Sequence, residues 1–278
     1  ARPRNETRMP LGIDLHLHTR ASDGQWTPAG LVARAASAGI GHIAITDHDV
    51  TDAIASARMY GVEAGVAVIP GVEVTVHWQR VPLHLLLYGD AVLTPPVENL
   101  LARGREALDA WVRARASALP DRTSRTRLMA SRQTLTVSAL VRAARDCGIS
   151  TDLHDAARYV AEINADDPPG LALAEVAQIA FDAGAIPVLA HPMRDGSLTR
   201  ALDESAIGAL LDEVPTVLGL EVVHPRHDQL ARDALATLAS RRAILRTAGS
   251  DSHGPARARP PVAWPQDLAR DFLKRIDA

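Results

Sequence analysis

Short apolar runs that read as β-strands recur along this chain, and several of them end in, or lead directly to, a histidine or an acid. In the first, Leu11-Gly12-Ile13 and the alternation through Leu15 and Leu17 read as a buried strand. Successive strand side chains point to opposite faces, so His16 and His18 point the same way, about 6–7 Å apart. Two imidazoles on one face can grip one divalent ion. A pair of structural histidines bonded to the backbone explains an isolated His-x-His equally well, so the reading depends on the rest of the chain.

The further candidates fall on strands, at their ends or in the loops after them. Asp23 lies in Ser22-Asp23-Gly24, and His48 follows the second strand in Thr46-Asp47-His48-Asp49. Glu73 sits in the apolar run Pro70-Gly71-Val72-Glu73-Val74, where an unpaired carboxylate is costly and a cation relieves that cost. His84 is central in Pro82-Leu83-His84-Leu85-Leu86, and His191 closes the run from Ile186. Asp251 and His253 follow the last strand. Taken singly, Asp23 reads as a turn aspartate and His84 as a core histidine. Taken together, these nitrogen and oxygen donors suit Mn, Fe or Zn. Nine donors are too many for one ion and fit two to three divalent ions that share groups. Glu73, with two oxygens, could bridge a pair.

Strand-like and helix-like segments alternate. Helices are expected at Pro28–Gly39 (Thr27 as N-cap), Thr51–Glu63, Ala172–Ala183, Leu198–Leu211 and Asp228–Ser240. Strands are expected at Gly41–Ile45, Val66–Val76, Ile186–Ala190, Val217–Val223 and Ala243–Ala248, with Val81–Tyr88 folding back across a turn near Gln79-Arg80. Repeated βα units imply a mostly parallel sheet, open or closed into a barrel whose strand C-termini carry the chemistry. Residues 95–170 interrupt the rhythm and read as a helical insertion or cap in a single domain spanning 1–278. Within it, Val97–Leu119, Thr136–Cys147 and Asp152–Ile163 are expected helices, Pro120–Gln133 is expected as a mobile loop, and Asp166–Gly170 breaks the chain.

Composition narrows the class. The chain has 278 residues, 47% hydrophobic and only 3% aromatic, so one sizeable core is built from Ala, Val, Leu and Ile. A net charge of -3 excludes a broadly basic nucleic-acid face; any such contact is expected to be local, with no stable nucleic-acid partner. The single cysteine, Cys147, forms no internal disulfide and fits a reducing cytoplasm. Neither a signal peptide nor a membrane-length apolar run is visible.

In order along the chain stand DLHLHT (14–19), SDG (22–24), TDHD (46–49), PGVEV (70–74), PLHLLLYG (82–89), LAHP (189–192), GLEVVHPRH (219–227) and GSDSH (249–253). This set resembles the PHP-domain (polymerase and histidinol phosphatase) family of metal-dependent phosphoesterases, in its nucleotide-phosphatase branch. The resemblance runs from about Leu11 to Gly254, with a weaker middle. It implies an α/β fold, a distorted (β/α)7 barrel with a trinuclear site at its C-terminal face. His16, His18 and Asp251 match the ligands of a first ion, and Asp23, His48 and His253 those of a second. Glu73 matches the carboxylate bridging the first and third, which His84 and His191 complete. Arg194 and His227 match positions near the substrate phosphate, one binding phosphoryl oxygens and the other bonding the phosphate or protonating the leaving oxygen. His224 or Arg226 could exchange roles with His227. His42, His77 and His154 match no ligand position.

The activity implied is hydrolysis of the phosphomonoester of a small metabolite, a nucleotide or nucleoside or sugar phosphate, by attack of metal-held hydroxide. Where relatives carry Arg-Pro-His before the helix near Ala139, this chain has Gln133-Thr134-Leu135, which leaves the metal donors intact and the substrate open. Arg132 or an arginine among Arg122, Arg125 and Arg127 could substitute. A phosphodiesterase or short-oligonucleotide exonuclease on the same centre is the alternative; sparse aromatics speak against a long stacking groove. A non-catalytic scaffold would be expected to have lost ligands, and none of the nine is missing. An amidohydrolase often adds a bridging lysine, and the sole lysine here, Lys274, lies near the end of the chain.

Overall fold

The computed structural model describes residues 12–130, 135–149, 156, 159–160, 168–196, 199–254 and 260–277. Strands β1 (Gly12–Leu17), β2 (Ile40–Ile45) and β3 (Ala67–Trp78) lie parallel and side by side. A tight turn at Gln79 and Arg80, both with positive φ (50° and 69°), folds the chain into β4 (Val81–Tyr88). Positive φ at both central residues matches the twist of a two-residue hairpin, so the turn falls where the sequence places it.

β4 runs antiparallel to β3 on one side and to β6 (Ile186–Leu189) on the other. The parallel order then resumes through β7 (Gly219–Val223) and β8 (Leu245–Ala248). The sheet curls until its ends meet. Leu17 bridges Ser252, His18 N donates to Ser252 O at 3.0 Å, and Asp251 N donates to His16 O at 2.9 Å. The result is a nearly closed barrel, with a short β9 (Trp264–Pro265) beside β1 and β5 (Leu171–Ala172) beside β3. Ile13, Leu15, Val72, Leu85, Val188 and Leu220 fill its core.

Helices α1 (Pro28–Ser37), α2 (Ile54–Ala64), α6 (Leu173–Asp182), α7 (Glu204–Glu213), α8 (Gln229–Arg242) and α9 (Arg270–Ile276) belong to the barrel half of the chain. Local chemistry sets their ends. Thr27 Oγ1 accepts from Gly30 N, with Pro28 in the first turn. Asp203 caps α7 by accepting from Ala206 N, which starts that helix at Glu204, later than the apolar spacing from Leu198 suggests. Ala243 ends α8 in the left-handed region, so β8 opens at Leu245 rather than Ala243.

Between β4 and β5 lie α3 (Pro95–Ala116), α4 (Arg122–Met129) and α5 (Val137–Asp146). The first half of α3 packs Leu100 and Leu101 into the barrel core, while Leu108 and Val112 join a second core with Leu119, Leu128, Leu140 and Val160. The expectation of a mobile loop over 120–133 is corrected by α4 at Arg122–Met129; residues 131–133 lie outside the described ones. Asp121 accepts from Ser124 N at 2.6 Å and Leu128 is buried, so a cap and one apolar anchor are enough to order this polar segment. Of the helix expected at 152–163, Ala156, Tyr159 and Val160 are helical and the other residues lie outside the described ones, as do Arg132 to Thr134.

Candidate metal centre

Glu73 organises the site. It points into the barrel from β3, is 1% exposed, and its two oxygens divide the histidines between them. Oε1 lies 2.8 Å from His84 Nδ1 and 3.1 Å from His191 Nε2. Oε2 lies 3.0 Å from His16 Nε2, 3.1 Å from His18 Nε2 and 3.4 Å from His48 Nδ1. Strand alternation puts His16 and His18 on this face, and the loops after β1, β2 and β8 bring in Asp23, His48, Asp251 and His253. All nine sequence-predicted donors therefore meet at one end of the barrel.

Three tight groups emerge. An inner group, His16, His18, Glu73 and Asp251, is fully buried. An outer group combines His18, Asp23, His48 and His253, with Asp23 Oδ1 3.1 Å from His253 Nε2 and 4.0 Å from His48 Nε2. His48, Glu73 and His84 form the third. This partition differs from the sequence expectation in three respects: His18 is shared between the inner and outer groups, His48 also belongs to the third, and His191 reaches the cluster through Glu73 Oε1 and is absent from the tight groups. Its backbone has φ of 28° and its N–H donates to Glu221 Oε2 at 2.8 Å, which fixes where the ring stands.

The cluster has the character of a cation site. His16 Nε2, both nitrogens of His18, Asp23 Oδ1 and His84 Nδ1 are buried and converge, with opposite charges close by but no well-aligned hydrogen bond to satisfy them. Such atoms are rare unless something else satisfies them. Charge tells the same story. Burial alone would raise Glu73, Asp23 and Asp251, but the surrounding imidazoles hold all three well below the ordinary carboxylate range. Burial alone would lower His18, but the Asp251 and Glu73 carboxylates beside its Nε2 push it up to about 10. His16 is likewise raised, by Glu73 and Glu221. The carboxylates demand positive charge at the centre; His16 and His18 favour holding protons there, whereas burial pushes His48 and His191 down to about 3.

Surrounding groups fix which ring nitrogens face inward. His16 Nδ1 donates to Glu221 Oε1 at 3.0 Å, which leaves Nε2 as the donor toward a metal. His253 Nδ1 donates to Asp251 O at 2.9 Å, leaving Nε2 on the Asp23 side. Asp47 accepts from Thr19 N, Thr19 Oγ1 and Ser22 Oγ, pinning the Asp23 loop to the end of β2. Glu221 was not among the sequence candidates, although it carries the signal that singled out Glu73: a carboxylate inside an apolar strand. Three residues here adopt positive φ, Asp49 (55°), His191 (28°) and Asp251 (53°), the kind of backbone strain that clusters at functional sites.

Of the residues expected near a phosphate, Arg194 adjoins the cluster, and so does His224, the alternative to His227. Arg194 Nη1 donates to Asp251 Oδ2 at 2.7 Å, and its buried Nε has no hydrogen-bond partner. His224, rather than His227, is the nearer of the pair, with Nε2 3.5 Å from Asp251 Oδ2. Its Nδ1 accepts from Arg226 N, so the proton of the neutral ring sits on Nε2. His227 Nδ1 donates to Val222 O at 3.0 Å, and its Nε2 is buried and unpartnered. Of the histidines set aside, His42 accepts from Gln266 Nε2, far from the centre, and His154 lies outside the described residues. A narrow cleft leads from His48 and His84 to Leu108, Thr136 and Val137 of the helical segment.

Residues 14–119 match the PHP domain family model. The chain is 30% identical over 261 residues to the 5'-3' exoribonuclease Rnm of Salmonella typhimurium, a match covering 90% of this chain and 88% of the relative. The chain belongs to the PHP domain family. It is also 28% identical to a 3',5'-nucleoside bisphosphate phosphatase of Chromobacterium violaceum, over 96% of both chains. In three dimensions it resembles a protein described as a metal-dependent phosphoesterase from Bifidobacterium adolescentis, with a TM-score of 0.81, 26% identity, and coverage of 95% of this chain and 96% of that one. Among the described residues no helix is long and apolar enough to cross a membrane.

Proposed function

We propose that this chain is a metal-dependent phosphoesterase that hydrolyses the phosphomonoester of a small metabolite, a nucleotide or a nucleoside or sugar phosphate. The observation that carries this reading is the Glu73 carboxylate shared between two sets of imidazoles, with Asp23 and Asp251 flanking it. Two to three divalent ions fit this donor set, and its nitrogen-oxygen character favours Mn, Fe or Zn. His16, His18, Glu73 and Asp251 would hold one ion, Asp23, His48 and His253 a second, and His84, His191 and Glu73 a third. When bound, such ions lower the pKa of water and neutralise phosphoryl oxygens.

The remaining work falls to the chain itself. Glu221 and the Asp251 carbonyl orient His16 and His253. Arg194, anchored on Asp251, turns its free Nε toward a phosphoryl oxygen and fixes the ester's orientation. His227, with Nδ1 tied to Val222 O, bonds the phosphate or delivers a proton to the leaving oxygen from Nε2 in its doubly protonated form, while His224 offers an Nε2–H even as a neutral ring. The helical segment 95–170 serves as a cap, and the cleft under α3 and α5 receives the leaving group.

A specific observation also favours a second reading, 5'-to-3' removal of nucleotides from short oligonucleotides. Between Leu101 and Arg145 ten arginines stand against three acids, a local basic excess in a chain of net charge -3. One experiment separates the two. The metal-loaded protein is given a nucleoside bisphosphate and an oligonucleotide bearing the same 5' end, and released phosphate and mononucleotide are measured together. Phosphate from the bisphosphate at far higher kcat/KM supports the first reading; mononucleotide release at comparable or higher kcat/KM supports the second; neither product would overturn both.

A further inference from the structure

Among the described arginines of the helical segment that reach across to the barrel, Arg105 and Arg142 land on loops that carry outer-group donors. Arg105, on α3, donates from Nη1 to the Asp49 carbonyl at 2.7 Å. Asp49 follows His48 directly and holds a left-handed backbone with φ of 55°. Arg142, on α5, donates from Nη1 to the Asp23 carbonyl at 3.3 Å. Asp23 and His48 are two of the four members of the outer group, and that group is the less enclosed one, with His48 14% and His253 16% exposed. The inner group is fully buried and stands on β1, β3 and the Asp251 turn.

We infer that Arg105 and Arg142 make the outer cation site depend on docking of the helical segment, while the inner site is built by the barrel alone. They are positioning residues: each holds the carbonyl of a loop whose side chain, or whose neighbour's side chain, points at the cation. A carbonyl gripped by a guanidinium fixes the peptide plane on either side of it, and at Asp49 that plane belongs to a strained turn. Asp49 is otherwise held from below, its carboxylate accepting from Thr75 N at 3.2 Å and Thr75 Oγ1 at 3.1 Å, so Arg105 closes the turn from above. Partners of this kind outside the ligand set typically change metal affinity about 10–100-fold. The cleft between barrel and helices opens beside the same loop, lined by His48, Asp49 and Leu108. The cleft and the outer site therefore share the His48–Asp49 loop, and occupancy of one is coupled to the other through it.

The inference rests on the proposed metal centre and is tested without turnover. Wild type, Arg105→Gln, Arg142→Gln and the double variant are stripped, titrated with Mn and analysed for bound metal per chain across a range of free Mn. A His253→Ala variant marks the loss of the outer ion directly, and Arg142→Lys retains a cationic donor. The expected result is that both Gln variants weaken the most weakly held ion at least about tenfold. They leave the tighter ions unchanged and so reproduce the His253→Ala profile, and Arg142→Lys recovers part of the loss. Wild-type titrations in both Gln variants would overturn the inference, as would loss of all ions together. Failure of the wild type to bind any ion would take the functional reading down with it, whereas the first two outcomes remove this inference alone.

Discussion

Glu221 and His16 are joined by a 3.0 Å hydrogen bond from His16 Nδ1 to Glu221 Oε1, buried on both sides, and the other Glu221 oxygen accepts from the His191 backbone. One carboxylate thus orients a ligand ring from β1 and fixes the start of the loop that carries a second ligand. Burial alone would raise Glu221, but His16 pulls it down to about 2, so it is ionised at neutral pH. Glu221→Gln puts an amide donor where His16 or His191 needs an acceptor. Metal affinity is expected to fall about 10–100-fold with the fold retained. Metal titration followed by circular dichroism checks this; unchanged affinity contradicts it.

Asp251→Asn and His18→Ala each remove a member of the inner group. Both variants are expected to lose hydrolysis of any phosphate ester while melting cooperatively, because the barrel core does not use these side chains. Wild-type turnover in either variant contradicts the assignment.

Arg194→Ala removes a charged donor without removing a metal ligand. A hydrogen bond to a charged group is worth about 1.5–3 kcal/mol, so kcat/KM is expected to fall roughly 10- to 150-fold. Metal content per chain stays at the wild-type value. Equal kcat/KM takes Arg194 out of the substrate site.

The raised His18 gives the cation-free protein a pH signature. Its folded value, about 10, lies above the ordinary 6.5, so its contribution to stability is complete below about pH 6.5 and is lost as the pH climbs through 10. Cation binding requires the neutral ring, so protons are released on loading at neutral pH. Calorimetric titration with Mn in buffers of different ionisation heat is expected to report net proton release at pH 7.5. A buffer-independent heat contradicts the prediction.

Gly249 has no room for a side chain. A Cβ there would collide with His16 Cβ and lie 2.6 Å from Glu221 Oε1. Gly249→Ala is expected to cost about 1–3 kcal/mol of stability and to displace His16 from the cluster. A melting temperature and metal content equal to wild type would contradict it.

Much of this site was legible because its donors sit at positions the strand period controls. His16 and His18 share a face by alternation, and Glu73 betrays itself as a charge inside an apolar run. The barrel was legible too, down to the reversal at Gln79-Arg80. What stayed hidden depends on contacts remote in sequence. Glu221 meets His16 across 205 residues, and no local pattern announces that pairing. Arg142 meets Asp23 across 119 residues, while the arginines considered as substitutes for the missing Arg-Pro-His lay in the neighbouring segment. The helix at Arg122–Met129 was missed because its single cap and one buried leucine carry little apolar period, so polarity read as a loop.

The central claim is that nine side chains from β1 to the turn after β8 enclose cations. Anomalous diffraction from crystals of the Mn-loaded protein, collected above the Mn edge, tests it most directly. The account predicts at least two strong peaks bracketing the Glu73 carboxylate, each about 2.0–2.3 Å from its histidine and carboxylate donors. A well-ordered map with no anomalous density among these nine residues would contradict it.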